Sequence, residues 1–143
     1  MKAHIGVDSK NGLVHSLVTT AANVHDSRPL PELLHGRETR VWGDSAYMGQ
    51  KRAIGQRSPH AKDFTNKRAR RNRTLTKAER SQNRTKSRVR AKVEHPFCVV
   101  KRLWKFTKVC YRGLAKNENR LFVAFALSNL FVSRNKLLRL QGA

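Results

Sequence analysis

The stretch from Lys51 to Lys92 limits the fold more than any other. Its only acids are Asp63 and Glu79, lysine and arginine recur throughout it, and large apolar side chains are few. A segment of that composition cannot bury a core of its own. The apolar residues that hold the protein together must therefore come from its flanks. Over the whole chain of 143 residues, 31 Lys and Arg face nine acids, a formal charge of +22. That length suits one small domain. Charge of that density repels itself and draws in a polyanion. Nucleic acid comes first, because lysine and arginine on phosphates release condensed counterions. A membrane surface is weaker, since the cations do not form one face opposite an apolar stripe.

The front of the chain reads as sheet. Ala3, Ile5 and Val7 alternate with Lys2, His4 and Gly6, the period of a half-buried strand. Asn11-Gly12 is a strong hairpin signal, and a second strand is predicted over Leu13 to Thr20. Asp8 falls in the turn between them. Residues 23–27 (NVHDS) cap a short helix over 29–34, which Gly36 closes. Thr39 to Gly43 then reads as a short buried strand that delivers Asp44 at its carboxyl end, where ligand sites of open α/β sheets gather.

Residues 51–75 are expected to be a basic, irregular or mobile segment. Thr76-Lys77-Ala78-Glu79 is a capping-box pattern, and helix-compatible sequence runs from it to Glu94. Pro96 predicts a kink or a fresh helix start near His95. The last helix is expected from about Asn119 to Leu140, with an apolar centre, Leu121 to Leu127, that predicts burial all round. Its uninterrupted apolar run is shorter than the roughly 20 residues of a membrane span. Cys98 and Cys110 have no CxxC spacing and read as reduced thiols of a cytoplasmic protein. No apolar core of an export signal follows Met1.

Two carboxylates draw notice. On a single helix Ser87, Arg90, Glu94, Phe97 and Lys101 would fall near one stripe, presenting one acid among cations. Arg90 and Glu94 also make an ordinary i,i+4 surface pair. Asp44 and Glu94, far apart in sequence with cations between, have the chemistry to converge on divalent metal while the cations grip phosphates. Asp44 could equally be a helix N-cap or a turn aspartate. The histidines show no zinc-like spacing. Tyr47 and Trp104 have the rings to stack on bases, with core packing the simpler expectation.

Several blocks in order then resemble a known family. They are 2–26 (KAHIGVDSKNGLVHSLVTTAANVHD), 43–49 (GDSAYMG), 90–101 (RAKVEHPFCVVK), 111–117 (YRGLAKN) and 127–130 (LSNL). Together they are similar to the DDE transposases of bacterial insertion sequences, in the four/five group. The resemblance implies an RNase H-like α/β fold and Mg²⁺ or Mn²⁺ held by two aspartates and a glutamate. It further implies cleavage and joining of transposon ends in DNA. Asp44 matches the second aspartate and Glu94 the glutamate. Arg90, Glu94 and Lys101 match the signature of the glutamate helix, with Ser87 where the family has tyrosine.

The family's first aspartate lies on a strand upstream of the block that opens this chain. The resemblance thus implies a truncated catalytic domain over 1–143. Its sheet part (1–50) carries Asp44, its basic segment is 51–75, and its helical part (76–143) carries Glu94. Asp44 and Glu94 are the expected catalytic and metal residues. Arg88, Arg90, Lys92, Lys101 and Arg102 are the expected contacts to DNA, with a homodimer or a full-length transposase as a further partner. Whether the chain is itself an enzyme stays open. The alternative is a non-catalytic basic protein that binds nucleic acid, for instance at DNA ends or in competition with a transposase.

Overall fold

The computed structural model describes residues 1–141 and has a mixed α/β architecture, with helix dominating the second half. Two compact units divide the chain: Met1–Ala22 with Lys92–Ala143, and Asn23–Ala91.

The first unit is built on a hairpin. β1 (Lys2–Val7) pairs antiparallel with β2 (Val14–Thr20), in register from Lys2 opposite Thr20 to Gly6 opposite Ser16, with an irregularity before Val7 meets Val14. The turn follows from its polar residues. The Asp8 carboxylate accepts from the backbone N–H of Lys10 at 2.8 Å and the side-chain amide of Asn11 at 2.9 Å, and Gly12 takes φ +70°. That backbone conformation favours glycine. Ile5 and Leu17 bury one face of the hairpin with Val100, Leu121, Ala124 and Phe125. Phe97 meets Phe125 edge-on at 5.5 Å between ring centroids.

The helix that covers this core, α5 (Leu114–Gln141), begins earlier than expected and buries one narrow stripe, Asn117, Leu121, Ala124, Phe125 and Ser128. The expectation of burial all round is corrected here. Phe122, Val123, Leu127 and Leu130 are exposed, Val123 by 61%. The reason is that a two-stranded hairpin is too narrow to cover more than one side of the helix. By length and composition alone α5 could cross a membrane. Its polar residues, however, serve the tertiary structure. The Asn129 amide donates to the Val14 carbonyl at 2.7 Å and accepts from the Val14 N–H at 2.8 Å, occupying backbone groups on the edge of β2 as a neighbouring strand would.

In the second unit, α1 (Leu30–Leu33) packs on α2 (Lys51–Arg57), and Leu30, Leu34, Val41 and Ile54 form the core. β3 (Arg40–Val41) pairs parallel with β4 (Lys62–Asp63), and the ladder continues to Gly43, whose carbonyl accepts from the Asn66 N–H at 3.0 Å. The stretch 51–75, expected to be irregular, thus contains a helix and a strand. Ile54 and Ala61 gain apolar neighbours from residues 30–41, which the segment does not itself supply.

Glu38 ties this unit together. Its carboxylate accepts from the N–H groups of His35 (2.7 Å) and Gly36 (2.9 Å) and from the Ser58 hydroxyl (2.6 Å) at the end of α2. Partial burial pushes its acidity the other way, but the Ser58 hydroxyl and the backbone donors outweigh it and hold the carboxyl below its ordinary 4.5. A carboxyl lowered in the folded state stabilises above its unfolded value, and that contribution is lost as pH falls through the folded value. Urea midpoints measured between pH 6 and 3 should therefore fall below about pH 4.5, and Glu38→Gln should be less stable at pH 6 with a shallower acid limb. Glu79, lowered in the same direction by the Thr76 N–H and the Lys67 ammonium, keeps some slope in the variant.

α3 (Lys77–Arg90) opens with the expected capping box, Thr76 and Glu79 satisfying each other's backbone N–H. The helix does not run on to Glu94. It ends at Arg90, turns 3₁₀ over Ala91–Val93, restarts as α4 (Glu94–Cys98), and widens into a π turn over Val99–Leu103. Pro96 thereby falls in the first turn of a new helix, where its missing donor is tolerated. The stripe from Ser87 to Lys101 is accordingly not carried by a single helix.

Candidate functional site

Asp44 lies at the carboxyl end of β3, as the sequence predicts, half-buried, and it is also the cap of the turn that follows. Its Oδ1 accepts from the Ala46 N–H at 2.8 Å, opening the 3₁₀ turn Ser45–Tyr47. The structure thus shows the capping reading of this residue, and the cap fixes the carboxylate's orientation. Gly43, just before it, cannot carry a side chain. A Cβ there would stand 2.8 Å from Thr65 Cγ2 and 3.1 Å from Tyr47 Cβ. Thr65 cannot swing away cheaply, because its hydroxyl and N–H both donate to Asp63 Oδ1 at 2.8 Å. Gly43→Val should cost about 1–3 kcal/mol as an overpacked site, measured by urea unfolding, with the loop that holds Asp44 displaced.

Tyr47 packs against the core of this unit as a partly buried ring. Burial, with the charges of Asp44 and Asp26 adding to it, pushes its phenol above the usual 10.0. Asp26 was legible in the sequence only as a capping residue. Its influence on the same phenol as Asp44 is a tertiary fact that no local pattern encodes.

The basic segment is held against α3 by side-chain amides. Asn83 accepts from the Lys67 N–H at 3.0 Å and donates to the Lys67 carbonyl at 2.8 Å, and Asn66 donates to the Ser87 hydroxyl at 2.9 Å. The Lys86 ammonium reaches the Thr65 carbonyl at 3.0 Å, and Glu79 gathers Lys67 and Arg73, each at 3.1 Å. Ser87, the departure from the family signature, thus has a structural task. Arg68, Arg70, Arg71, Arg80, Arg84 and Arg88 remain exposed around these staples, and α3 buries none of its residues.

In the other unit Glu94 is exposed at the first position of α4. Lys101 and Arg102 are exposed on the π turn, with the Lys101 ammonium 5.9 Å from the centroid of the Phe97 ring. Lys92 donates to the Ser9 carbonyl and so helps fix the hairpin turn. Arg90 is half-buried at the end of α3. Asp44 and Arg90 thus belong to the Asn23–Ala91 unit, and Glu94, Lys92, Lys101 and Arg102 to the other. Among the described residues no three His, Cys, Asp or Glu side chains gather as a metal-binding group. Cys98 and Cys110 are free and exposed.

No solved structure matches the chain significantly. A family model described as a transposase DDE domain matches residues 1–130, a span that takes in the hairpin, the Asp44 turn, Glu94 and most of α5. The chain belongs to the DDE-domain transposase family.

Proposed function

We propose that this chain serves DNA transposition as part of an insertion-sequence transposase with an RNase H-like catalytic centre, working on DNA in the cytoplasm. The observation that carries the reading is the family match over residues 1–130, a span that contains Asp44 and Glu94, which we assign as its metal-holding carboxylates from the sequence resemblance. Both are hard oxygen donors. Mg²⁺ is commonly held by one or two carboxylates, with water and substrate phosphates completing its shell, so each of these donors is of a type that suits Mg²⁺ or Mn²⁺. Such an ion, when bound, supplies Lewis-acid activation of the attacking and leaving oxygens of a phosphodiester. The capped turn keeps the Asp44 carboxylate oriented, and Gly43 lets the turn close against Thr65. Arg88, Arg90, Lys92, Lys101 and Arg102 are assigned to DNA phosphates, and the excess of cations makes binding fall steeply with salt. A second copy or a full-length transposase is the further partner.

A Mg²⁺-dependent nicking assay on transposon-end DNA, with Glu94→Ala beside the wild type, tests the reading. Cleavage that disappears in the variant supports it. DNA binding without cleavage in the wild type would favour the second reading, a non-catalytic DNA binder. That reading is supported by the formal charge of +22 and by the exposed arginines along α3.

A further inference from the structure

We infer that a groove in the unit Met1–Ala22 with Lys92–Ala143 is a binding site for an unstacked nucleotide of single-stranded DNA, an inference that rests on the DNA reading above. The groove has a volume of about 530 Å³ and is lined by Trp104, Phe106, Tyr111, Lys116 and Arg120, with Val123 and its neighbours on α5 closing one wall. That volume is typical of small-molecule sites. The Arg120 guanidinium stands 5.0 Å from the centroid of Phe106 and 5.8 Å from that of Tyr111, so a flat cation already lies among the rings. Trp104 and Phe106 are also packed on the core, which holds them in place.

Two departures from regular backbone present these rings. The π turn over Val99–Leu103 precedes Trp104, and Lys105, between the two aromatics, takes φ +50°. A non-glycine residue adopts that conformation only where its surroundings enforce it, and such positions cluster at ligand sites.

Charge selects the occupant. Lys116 and Arg120 line the groove, Lys105, Lys108 and Arg112 are exposed on the connecting loop, and no acid lines it. A second copy of a chain with charge +22 would bring cations against cations. An apolar helix would cover Lys116 and Arg120 with no counter-charge. A nucleotide supplies a base face for the rings and a phosphate for the cations. In a duplex those base faces are covered by stacking, so the site selects single-stranded or frayed DNA.

The test uses the full chain with Trp42→Phe, which leaves Trp104 as the sole tryptophan, titrated with oligo(dT) and with a blunt duplex at fixed salt. Oligo(dT) should quench Trp104. Tyr111→Ala should weaken oligo(dT) at least about fivefold, the lower end for one lost base stack, and leave duplex affinity within about twofold. Tyr111→Phe, which keeps the ring, should restore it. The Tyr111 side chain is about half exposed and its backbone contacts to Asn117 survive the change, so the fold should persist. Unchanged oligo(dT) affinity in Tyr111→Ala, or equal loss on both DNAs, overturns the site. Trp104 emission that responds to protein concentration and not to oligo(dT) overturns it in favour of a second copy. Duplex binding with no Trp104 response defeats this site alone, whereas failure to bind either DNA defeats the DNA reading with it.

Discussion

On the proposed metal-holding role of Glu94, Glu94→Ala should reduce Mg²⁺-dependent nicking of transposon-end DNA by roughly three orders of magnitude or more, the scale on which losing one member of a catalytic unit acts. Glu94 is exposed at the start of α4, so its replacement removes little packing and the fold should survive. Asp44→Asn is the matched variant, because an amide oxygen can still accept from the Ala46 N–H and keep the turn closed while the charge is lost. It should lose cleavage to a similar extent. Neither variant should weaken DNA binding, since removing an acid from a chain of charge +22 only increases its attraction for phosphate. Cleavage that persists undiminished in both variants would point to a contaminating nuclease. Loss of cleavage together with loss of binding would mean that the variants had damaged the fold, a distinction that filter binding at matched salt would make.

What could be read along the chain was what local chemistry decides. The hairpin announced itself because alternation and Asn11-Gly12 agree on one geometry, and Thr76 with Glu79 started α3 where two orphan donors could be satisfied at once. Asp44 at the end of β3 was legible for the same reason, a short apolar run followed by turn residues. The misjudged features depend on partners distant in sequence. β4 exists because the chain beyond α2 returns to hydrogen-bond residues 39–43, and nothing in Lys62-Asp63 itself favours a strand. The composition of α5 suggested burial on every side, yet how much of a helix is covered depends on the width of what packs on it.

The motifs behind the family resemblance show the same division. Gly43 and Asp44 have a local logic that spacing reveals. Asn129 in the block Leu127-Ser128-Asn129-Leu130 gives no hint that its amide would sit on the edge of a strand 115 positions away in sequence. Ser87 at the tyrosine position looked like a lapse from the signature, and its hydroxyl turns out to receive the Asn66 amide.

Asn117→Ala should strongly destabilise the first unit. The side chain is 1% exposed, and its amide donates to the carbonyls of Tyr111 and Gly113, both at 2.6 Å, while its oxygen accepts from the Tyr111 N–H at 3.2 Å. Alanine would remove the three hydrogen bonds that tie these backbone groups to the start of α5, a loss of about 2–4 kcal/mol at about 1 kcal/mol for each. That is a large share of the stability of a small domain. Asn117→Asp should not rescue it, because a carboxylate keeps the acceptor but sets its charge against two carbonyl oxygens. Urea unfolding followed by far-UV circular dichroism would report the loss, and native-state hydrogen exchange should show the first turns of α5 opening before its centre. A variant as stable as the wild type would mean that the turn from Tyr111 to Gly113 is held by other contacts. The same experiment bears on the groove, since Tyr111 and Arg120 flank this amide in sequence. Loosening the start of α5 should weaken oligo(dT) more than duplex.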